Sequence, residues 1–306
     1  MTSIAIFGGG PCARSHIHSL ARVKSSKDFN IKVYTNNSQF SKDLILDQFS
    51  SLNVYSPKEF STEQSQDIVL IANKSADHVK TWVLAHNELS ESLIVVEKPF
   101  AASLVPQATN VNFVDSKSYV LFQKRVLFME NIKNTQTSFS YPSASHNNLI
   151  QLKAKLVKRS FDLDALKRRY AGLSLNHMIL IHFCIHELDL VEFCTNSKIV
   201  NLQTKLSVVC LDKPFISIEG EVNGNLQCGH EFSITYSNSY NKLPQIVSLA
   251  TSKDSGTVVH KKELRKKNYS EMTEIRDCFW QQVIDGSRRP LRRLTSCISL
   301  ENLLIK

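Results

Sequence analysis

Ile4-Ala5-Ile6-Phe7-Gly8-Gly9-Gly10-Pro11-Cys12-Ala13-Arg14-Ser15-His16 is the stretch on which the reading of the whole chain turns. A short apolar run meets a glycine cluster, and Ile17, Leu20 and Val23 follow at helical spacing. This is a strand, a tight turn and a helix start. Gly8-x-Gly10-x-x-Ala13 fits a dinucleotide fingerprint: one glycine for the turn, one for close approach of backbone to a pyrophosphate, and a small residue where helix packs on strand. The helix N-terminus then offers unbonded N–H groups and a positive dipole end to phosphate. Gly8, Gly10, Pro11, Cys12 and Ala13 are therefore the expected cradle.

The chain has 306 residues, enough for two ordinary domains with a core each. Glycine is scarce, at 9 residues, which makes its clustering at the first turn informative. The start of the chain carries no basic n-region or cleavage site, so no signal peptide is expected. The longest apolar stretch, near Met178–Phe183, is too short and too histidine-rich to span a membrane. The 7 cysteines are scattered singly, as reduced thiols in a cytoplasmic protein would be. A net charge of +9 comes from short clusters at Lys153–Arg159, Lys167-Arg168-Arg169, Lys261–Lys267 and Arg288–Arg293. No nucleic-acid motif accompanies them; they read as solvated faces, and after that as attraction for an anionic small molecule.

Up to about residue 120, short apolar strands alternate with helical patterns: Ile31–Tyr34, Asp67–Ala72, Leu93–Val96 and Ser118–Phe122, with a helix carrying Val79, Trp82 and Val83. That order predicts a doubly wound parallel sheet. Beyond it the apolar runs lengthen and alternate, over Leu149–Val157, Val200–Leu211, Phe215–Val222, His230–Tyr236 and Ile246–Ala250. Asp212-Lys213-Pro214 and Asn223-Gly224-Asn225 read as turns between the later ones. Helices are expected at about Leu175–Cys194 and Ser270–Ile284. The fold expected is α/β: a Rossmann domain over residues 1–120, then an α+β domain with a mostly antiparallel open sheet over residues 121–306.

Six stretches, taken in order, resemble the Gfo/Idh/MocA oxidoreductase family (glucose–fructose oxidoreductase, inositol dehydrogenase and relatives). The opening turn with Ala13 and His16 is similar to its GxGxxA start. Ile71-Ala72-Asn73-Lys74-Ser75-Ala76-Asp77-His78 is similar to its IATPN segment, with Asn73-Lys74 in place of Thr-Pro. Val95-Val96-Glu97-Lys98-Pro99-Phe100-Ala101 resembles its EKP signature. Gln123-Lys124-Arg125, His186-Glu187-Leu188-Asp189-Leu190 and the segment from Tyr269 through Phe279, Gly286 and Pro290 complete the series. The resemblance implies an NAD(P)-dependent oxidoreductase acting on a sugar, nucleotide-sugar or polyol, and a homodimer or higher homo-oligomer. The chain stops sooner than most relatives, so a shortened last helix is expected.

By resemblance, Lys98 is the catalytic ammonium at a strand's carboxyl end, and Pro99 after it is a cis-type turn. His186 is the candidate general base, since an imidazole shuttles protons near neutrality. Active relatives carry an aspartate four residues before that histidine; here the place holds His182, with Cys184 where they have glycine. Residues four apart share a helical face, so His182 is expected to join His186. The pair also has metal-ligand spacing, with His177 or Glu187 as further donors, but Glu187 points away and no metal is expected. Ala72, Asn73, His78 and Glu97 line the implied cofactor cleft. His16 reads as packing, Trp82 and Trp280 as core or interface, and Arg125 as either a junction residue or a surface arginine.

An NAD-preferring site usually ends its second strand in an acid that holds the ribose hydroxyl. Here Thr35, Asn36 and Asn37 stand there, Asp28 and Asp43 fall too early and too late, and Lys42 is the nearest cation downstream. NADP is thereby preferred to NAD. The basic clusters point to an anionic, sugar-like substrate. A reductase of an imine or conjugated double bond, and a non-catalytic NAD(P)-binding regulator or scaffold, are the competing readings.

Overall fold

The computed structural model describes residues 1–23, 26–37, 40, 49–60, 65–100, 117–122, 125, 149–154, 157–159, 164, 166–167, 170, 172–210, 215–236, 246–252, 258–265, 269–288 and 291–305. They fall into two compact units, Met1–Gln123 with Met272–Ser299, and Lys124–Glu271 with Leu300–Lys306. The division is discontinuous in sequence, unlike a single cut near residue 120.

The first unit is built on a seven-stranded sheet. Its strands are β1 (Thr2–Phe7), β2 (Phe29–Tyr34), β3 (Ser51–Tyr55), β4 (Ile68–Ile71), β5 (Leu93–Glu97), β6 (Ser118–Leu121) and β14 (Leu291–Arg293). The order is β14-β6-β5-β4-β1-β2-β3, parallel throughout except that β14 runs antiparallel to β6. Ile4, Ala5 and Ile6 of β1, and Val69, Leu70 and Ile71 of β4, are fully buried. Strands covered on both faces lose the polar alternation, which is why they appear in the sequence as unbroken apolar runs. Each such isoleucine, leucine or valine side chain contributes about 1.5–3 kcal/mol on burial.

Helix α1 (Pro11–Leu20) starts with proline in its first turn after an extended Gly10, and buries Ala13, His16, Ile17 and Leu20 on one face. Helix α2 (His78–Glu88) buries Val79, Trp82 and Ala85. Trp82 is a core residue whose indole N–H donates to Ser118 Oγ at 2.8 Å. Helix α5 (Tyr269–Ile284) supplies Phe279 and Trp280, both buried.

The second unit carries a sheet of β7 (Leu149–Ala154), β8 (Val157–Arg159), β9 (Ile199–Cys210), β10 (Phe215–Leu226), β11 (Glu231–Tyr236), β12 (Ile246–Ser252) and β13 (Val258–Arg265). It runs β13-β12-β7-β11-β10-β8, with β9 also paired to β10, and every pairing is antiparallel except β11 with β7. One sequence-based turn is corrected. Asn223-Gly224-Asn225 lies inside β10, paired on both β9 and β11. Glycine is needed there because a Cβ at Gly224 would stand 2.4 Å from the Asn201 carbonyl oxygen and 2.8 Å from the Phe232 ring. The chain reverses just beyond, at Gln227–Gly229, where Leu226 N–H donates to His230 O at 2.8 Å. Asp212-Lys213-Pro214 lies outside the described residues.

The long helical segment forms as α3 (Leu175–Ile179), a π turn (Leu180–Cys184) and α4 (Ile185–Thr195). Ser174 Oγ caps it by accepting from His177 N–H, and left-handed Asn196 ends it. Helix α6 (Leu294–Ile305) closes the chain. No helix among the described residues is long and apolar enough to cross a membrane.

Candidate functional site

Strand register decides which residues meet at the carboxyl edge of the first sheet. Phe7 lies beside Tyr34 and Ile71, Ile71 beside Val96, and Glu97 beside Leu121. Gly8, Thr35, Ala72 and Lys98 therefore follow their strands along one edge. The chain leaves β1 for β2 and β3 on one side and then fills β4, β5 and β6 on the other, so β1 and β4 flank the switch point where open α/β sheets bind ligands.

The two fingerprint glycines are required for different reasons. Gly8 has φ +134°, and a Cβ on it would lie 2.6 Å from the Ala72 carbonyl oxygen. Backbone and packing alone demand glycine there. Gly10 has an ordinary φ of −82°, and a Cβ on it would meet nothing within 4 Å. Packing among the described residues does not demand glycine at Gly10, and its backbone is left open to close approach by a ligand. No side chain caps α1, its first turn holds no acid, and Pro11 has no N–H. The first-turn amides of Cys12 and Ala13 thus face an uncapped, electropositive end. These residues fit a pyrophosphate. Ala13 is fully buried, which is the packing role expected of the third fingerprint position.

Thr35 packs against Gly9, where a Cβ would come 2.2 Å from its Oγ1. That Oγ1 accepts from Asn37 N–H at 3.1 Å, and Asn37 Nδ2 donates to Gly9 O at 3.4 Å. The end of β2 is thereby tied to the glycine turn, with Asn36 exposed beside it and no carboxylate at Thr35–Asn37. Lys42 and Asp43 lie outside the described residues.

Beneath the turn runs a buried hydrogen-bond chain. Trp280 Nε1–H donates to His16 Nδ1 at 3.0 Å, and His16 Nε2 lies 2.7 Å from Glu97 Oε1. Because Nδ1 accepts, the ring proton sits on Nε2 and is donated to Glu97. Burial pushes the Glu97 carboxyl up, but the hydrogen bonds from His16 and Cys12 and the charge of Lys98 prevail and hold it well below its ordinary range. Cys12 is exposed as a residue but turns its thiol toward Glu97. Burial of that sulfur, and after it the Glu97 charge and hydrogen bond, push the thiol strongly up, against Arg276 and Lys98. His16, read from sequence as packing, is thus the link between α1, α5 and the strand that ends in Glu97, just before Lys98. Its partner Trp280 is 264 positions away, so no local pattern signals it.

Among the described residues, Cys12, His16 and Glu97 also form a group whose ligand-type atoms lie within 4.8 Å of one another. A metal does not fit them. Coordination at Nε2 needs that lone pair, which would put the ring proton on Nδ1, and Trp280 donates there already.

Lys98 is half-buried, and the Lys98–Pro99 peptide is cis. His78 braces the far side of this turn: its Nδ1 lies 2.8 Å from Pro99 O and its Nε2 3.2 Å from Asn73 O. Burial lowers the His78 pKa, outweighing both carbonyls and the nearby acids Glu97 and Asp77. Asn73 Nδ2 donates to Thr81 Oγ1 at 2.7 Å, while its Oδ1 is buried with no partner among the described residues, an acceptor open to a ligand N–H.

The second unit holds the other candidates. His182 sits in the π turn, where Ile185 N–H reaches back to Leu180 O, and its Nδ1 lies 3.0 Å from the Tyr170 hydroxyl. His186 opens α4 and is partly exposed. Cys184 is buried and hydrogen-bonds the Tyr236 hydroxyl, whose ionisation burial and this thiol oppose. Glu187 is fully buried, 3.5 Å from the same hydroxyl. Arg125 is no surface arginine. It is buried in this unit, donating from Nε and Nη2 to the two oxygens of Asp189 at 2.7 and 2.6 Å, with its guanidinium 4.8 Å from the centre of the Phe193 ring. Arg292, in a cluster read as solvated, is buried too and donates to Ser296 O at 2.7 Å.

No protein-family model and no curated protein sequence matches the chain. Solved structures do. A myo-inositol dehydrogenase from Lactobacillus casei, in complex with NAD(H) and myo-inositol, is 13% identical with a TM-score of 0.67, covering 99% of this chain and 93% of its own. A UDP-N-acetylglucosamine 3-dehydrogenase from Acidithiobacillus ferrooxidans is 14% identical, TM-score 0.59, covering 99% and 96%. A transcriptional regulator from Kluyveromyces lactis is 13% identical, TM-score 0.62, covering 98% and 90%. Such low identities speak to fold alone. Over nearly its whole length, this chain has the fold of Gfo/Idh/MocA-type dehydrogenases, a Rossmann-like parallel sheet followed by a mostly antiparallel one.

Proposed function

We propose that the chain is an NAD(P)-dependent oxidoreductase of a sugar-like, anionic small molecule. The observation that carries this is the glycine turn itself: Gly8, which the backbone demands, and Gly10, which leaves open space over the uncapped start of α1 where a ligand can rest. In this reading Gly8, Gly10, Pro11, Cys12 and Ala13 hold the pyrophosphate, Thr35 and Asn36 face the adenosine ribose, and Ala72, Asn73, His78 and Glu97 line the nicotinamide side. The missing acid at Thr35–Asn37 favours NADP over NAD.

The bound nicotinamide supplies the hydride chemistry. Lys98 hydrogen-bonds the substrate oxygen and stabilises its developing negative charge. His186 takes or returns the hydroxyl proton, and His182, hydrogen-bonded to Tyr170, relays it. A histidine in place of the relatives' aspartate cannot hold an imidazolium as a carboxylate does, so the pH optimum is expected to differ from theirs. A homo-oligomer in the cytoplasm is part of the same reading.

The likeness to a transcriptional regulator supports a second reading, a dinucleotide-binding regulator without turnover. The two separate in one assay: NADPH and NADH titrated by fluorescence, then turnover followed by nicotinamide absorbance over polyols and nucleotide-sugars. Saturable binding with turnover that Lys98→Met abolishes supports the oxidoreductase. Binding without any turnover favours the regulator, and no binding refutes both.

A further inference from the structure

Two aromatic rings confine the His182 imidazole. Tyr170 stands edge-on to it with ring centres 5.8 Å apart, and Phe183 stands perpendicular to it at 4.6 Å. The Tyr170 hydroxyl lies 3.0 Å from His182 Nδ1. Tyr170 is fully buried, whereas His182 is half-buried.

The backbone fixes Tyr170 where it stands. Its N–H donates to Leu166 O at 3.0 Å and its carbonyl accepts from Leu173 N–H at 3.1 Å, closing a helical turn that the chain leaves through Gly172 at φ +91°. A buried phenol is costly without a hydrogen-bond partner, and the imidazole nitrogen supplies one. His182 in turn sits in the π turn Leu180–Cys184, a helix irregularity that recurs at functional sites.

The direction of the bond follows from acidity. A phenol is a far stronger acid than the N–H of neutral imidazole, so the Tyr170 O–H donates and Nδ1 accepts. The ring proton then sits on Nε2, across the ring from Tyr170. When the imidazole is charged, both nitrogens carry hydrogen, and the hydroxyl turns to accept from Nδ1. One hydroxyl thus holds the ring in both charge states.

We infer that Tyr170 is a positioning residue that acts through His182, fixing the orientation of its ring and placing its resting proton on Nε2. The catalytic meaning of this rests on the oxidoreductase reading above, in which His182 and His186 handle the proton. To that pair it adds a buried hydroxyl 12 positions before His182.

Nitrogen-15 NMR of histidine-labelled protein tests this, with the His182 signals identified by their loss in His182→Gln. The wild type is expected to show the Nε2–H tautomer alone, and Tyr170→Phe a mixture of the two. A mixture or the Nδ1–H form in the wild type overturns the inference, and so does an unchanged tautomer in Tyr170→Phe. Should Tyr170→Phe not fold, the wild type still decides: the Tyr170 hydroxyl proton must show coupling to His182 Nδ1 across the hydrogen bond, and its absence refutes the contact. A wild type with this tautomer pattern but no turnover counts against the oxidoreductase reading and leaves the hold of Tyr170 on His182 standing.

Discussion

Trp280 donates its indole N–H to Nδ1 of His16 at 3.0 Å, and this bond determines where the imidazole keeps its proton. Indole only donates, so Nδ1 must accept, and Nε2 carries the hydrogen that Glu97 receives. Replacing Trp280 with Phe keeps most of the ring and removes the donor. The variant is expected to lose about 1–3 kcal/mol of stability in urea, because a buried nitrogen is left unmet. Nitrogen-15 NMR of His16 should show the Nε2–H tautomer in the wild type and a mixture in Trp280→Phe; a mixture in both would discard the relay.

Glu97 should keep the Cys12 thiol protonated. Glu97→Gln removes the charge and the acceptor that, after burial, raise it. Iodoacetamide at mildly alkaline pH is expected to label wild-type Cys12 more slowly than Cys228, which is exposed. Labelling of Cys12 should quicken in Glu97→Gln. Unchanged labelling would show that burial alone protects the sulfur.

Acid should destabilise the first unit in two steps. His78 and Glu97 both have folded pKa values below their ordinary 6.5 and 4.5. The unfolded chain therefore binds each proton at a higher pH than the folded chain, and acidification drains stability. The contribution of His78 is whole above 6.5 and falls below it; that of Glu97 is whole above 4.5 and falls below it. Denaturation curves at stepped pH should show His78→Gln lacking the upper step and Glu97→Gln the lower.

Arg125 and Asp189 are a buried pair with two hydrogen bonds. Removing one charge strands the other, so Asp189→Asn is expected to cost about 3–5 kcal/mol. Arg125→Met with Asp189→Leu together should cost less than that single change. Urea midpoints of the four proteins check this.

The first sheet was legible because strands buried on both faces appear as contiguous apolar runs. β3 was missed: Ser51–Tyr55 is an edge strand whose residues are half-covered or exposed, so no run forms. β13 was hidden by its own charges, Lys261, Lys262 and Glu263 among them, which read as a solvated cluster. At the site, Gly8, Gly10 and Ala13 follow from local spacing, and Lys98, His186 and Asn73 came only through resemblance. Trp280 gave no signal, because its partner His16 lies at the opposite end of the chain.

The central claim is that α1 begins at a dinucleotide phosphate, and Gly10→Ser tests it most directly. Serine is allowed at φ −82°, meets open space, and is a better N-cap than most residues, so the melting temperature should hold or rise. Its Cβ and hydroxyl would occupy the place proposed for the phosphate, so NADPH binding, expected to be saturable in the wild type, should weaken by about tenfold or more. A folded Gly10→Ser protein that binds NADPH as tightly as the wild type would contradict the account.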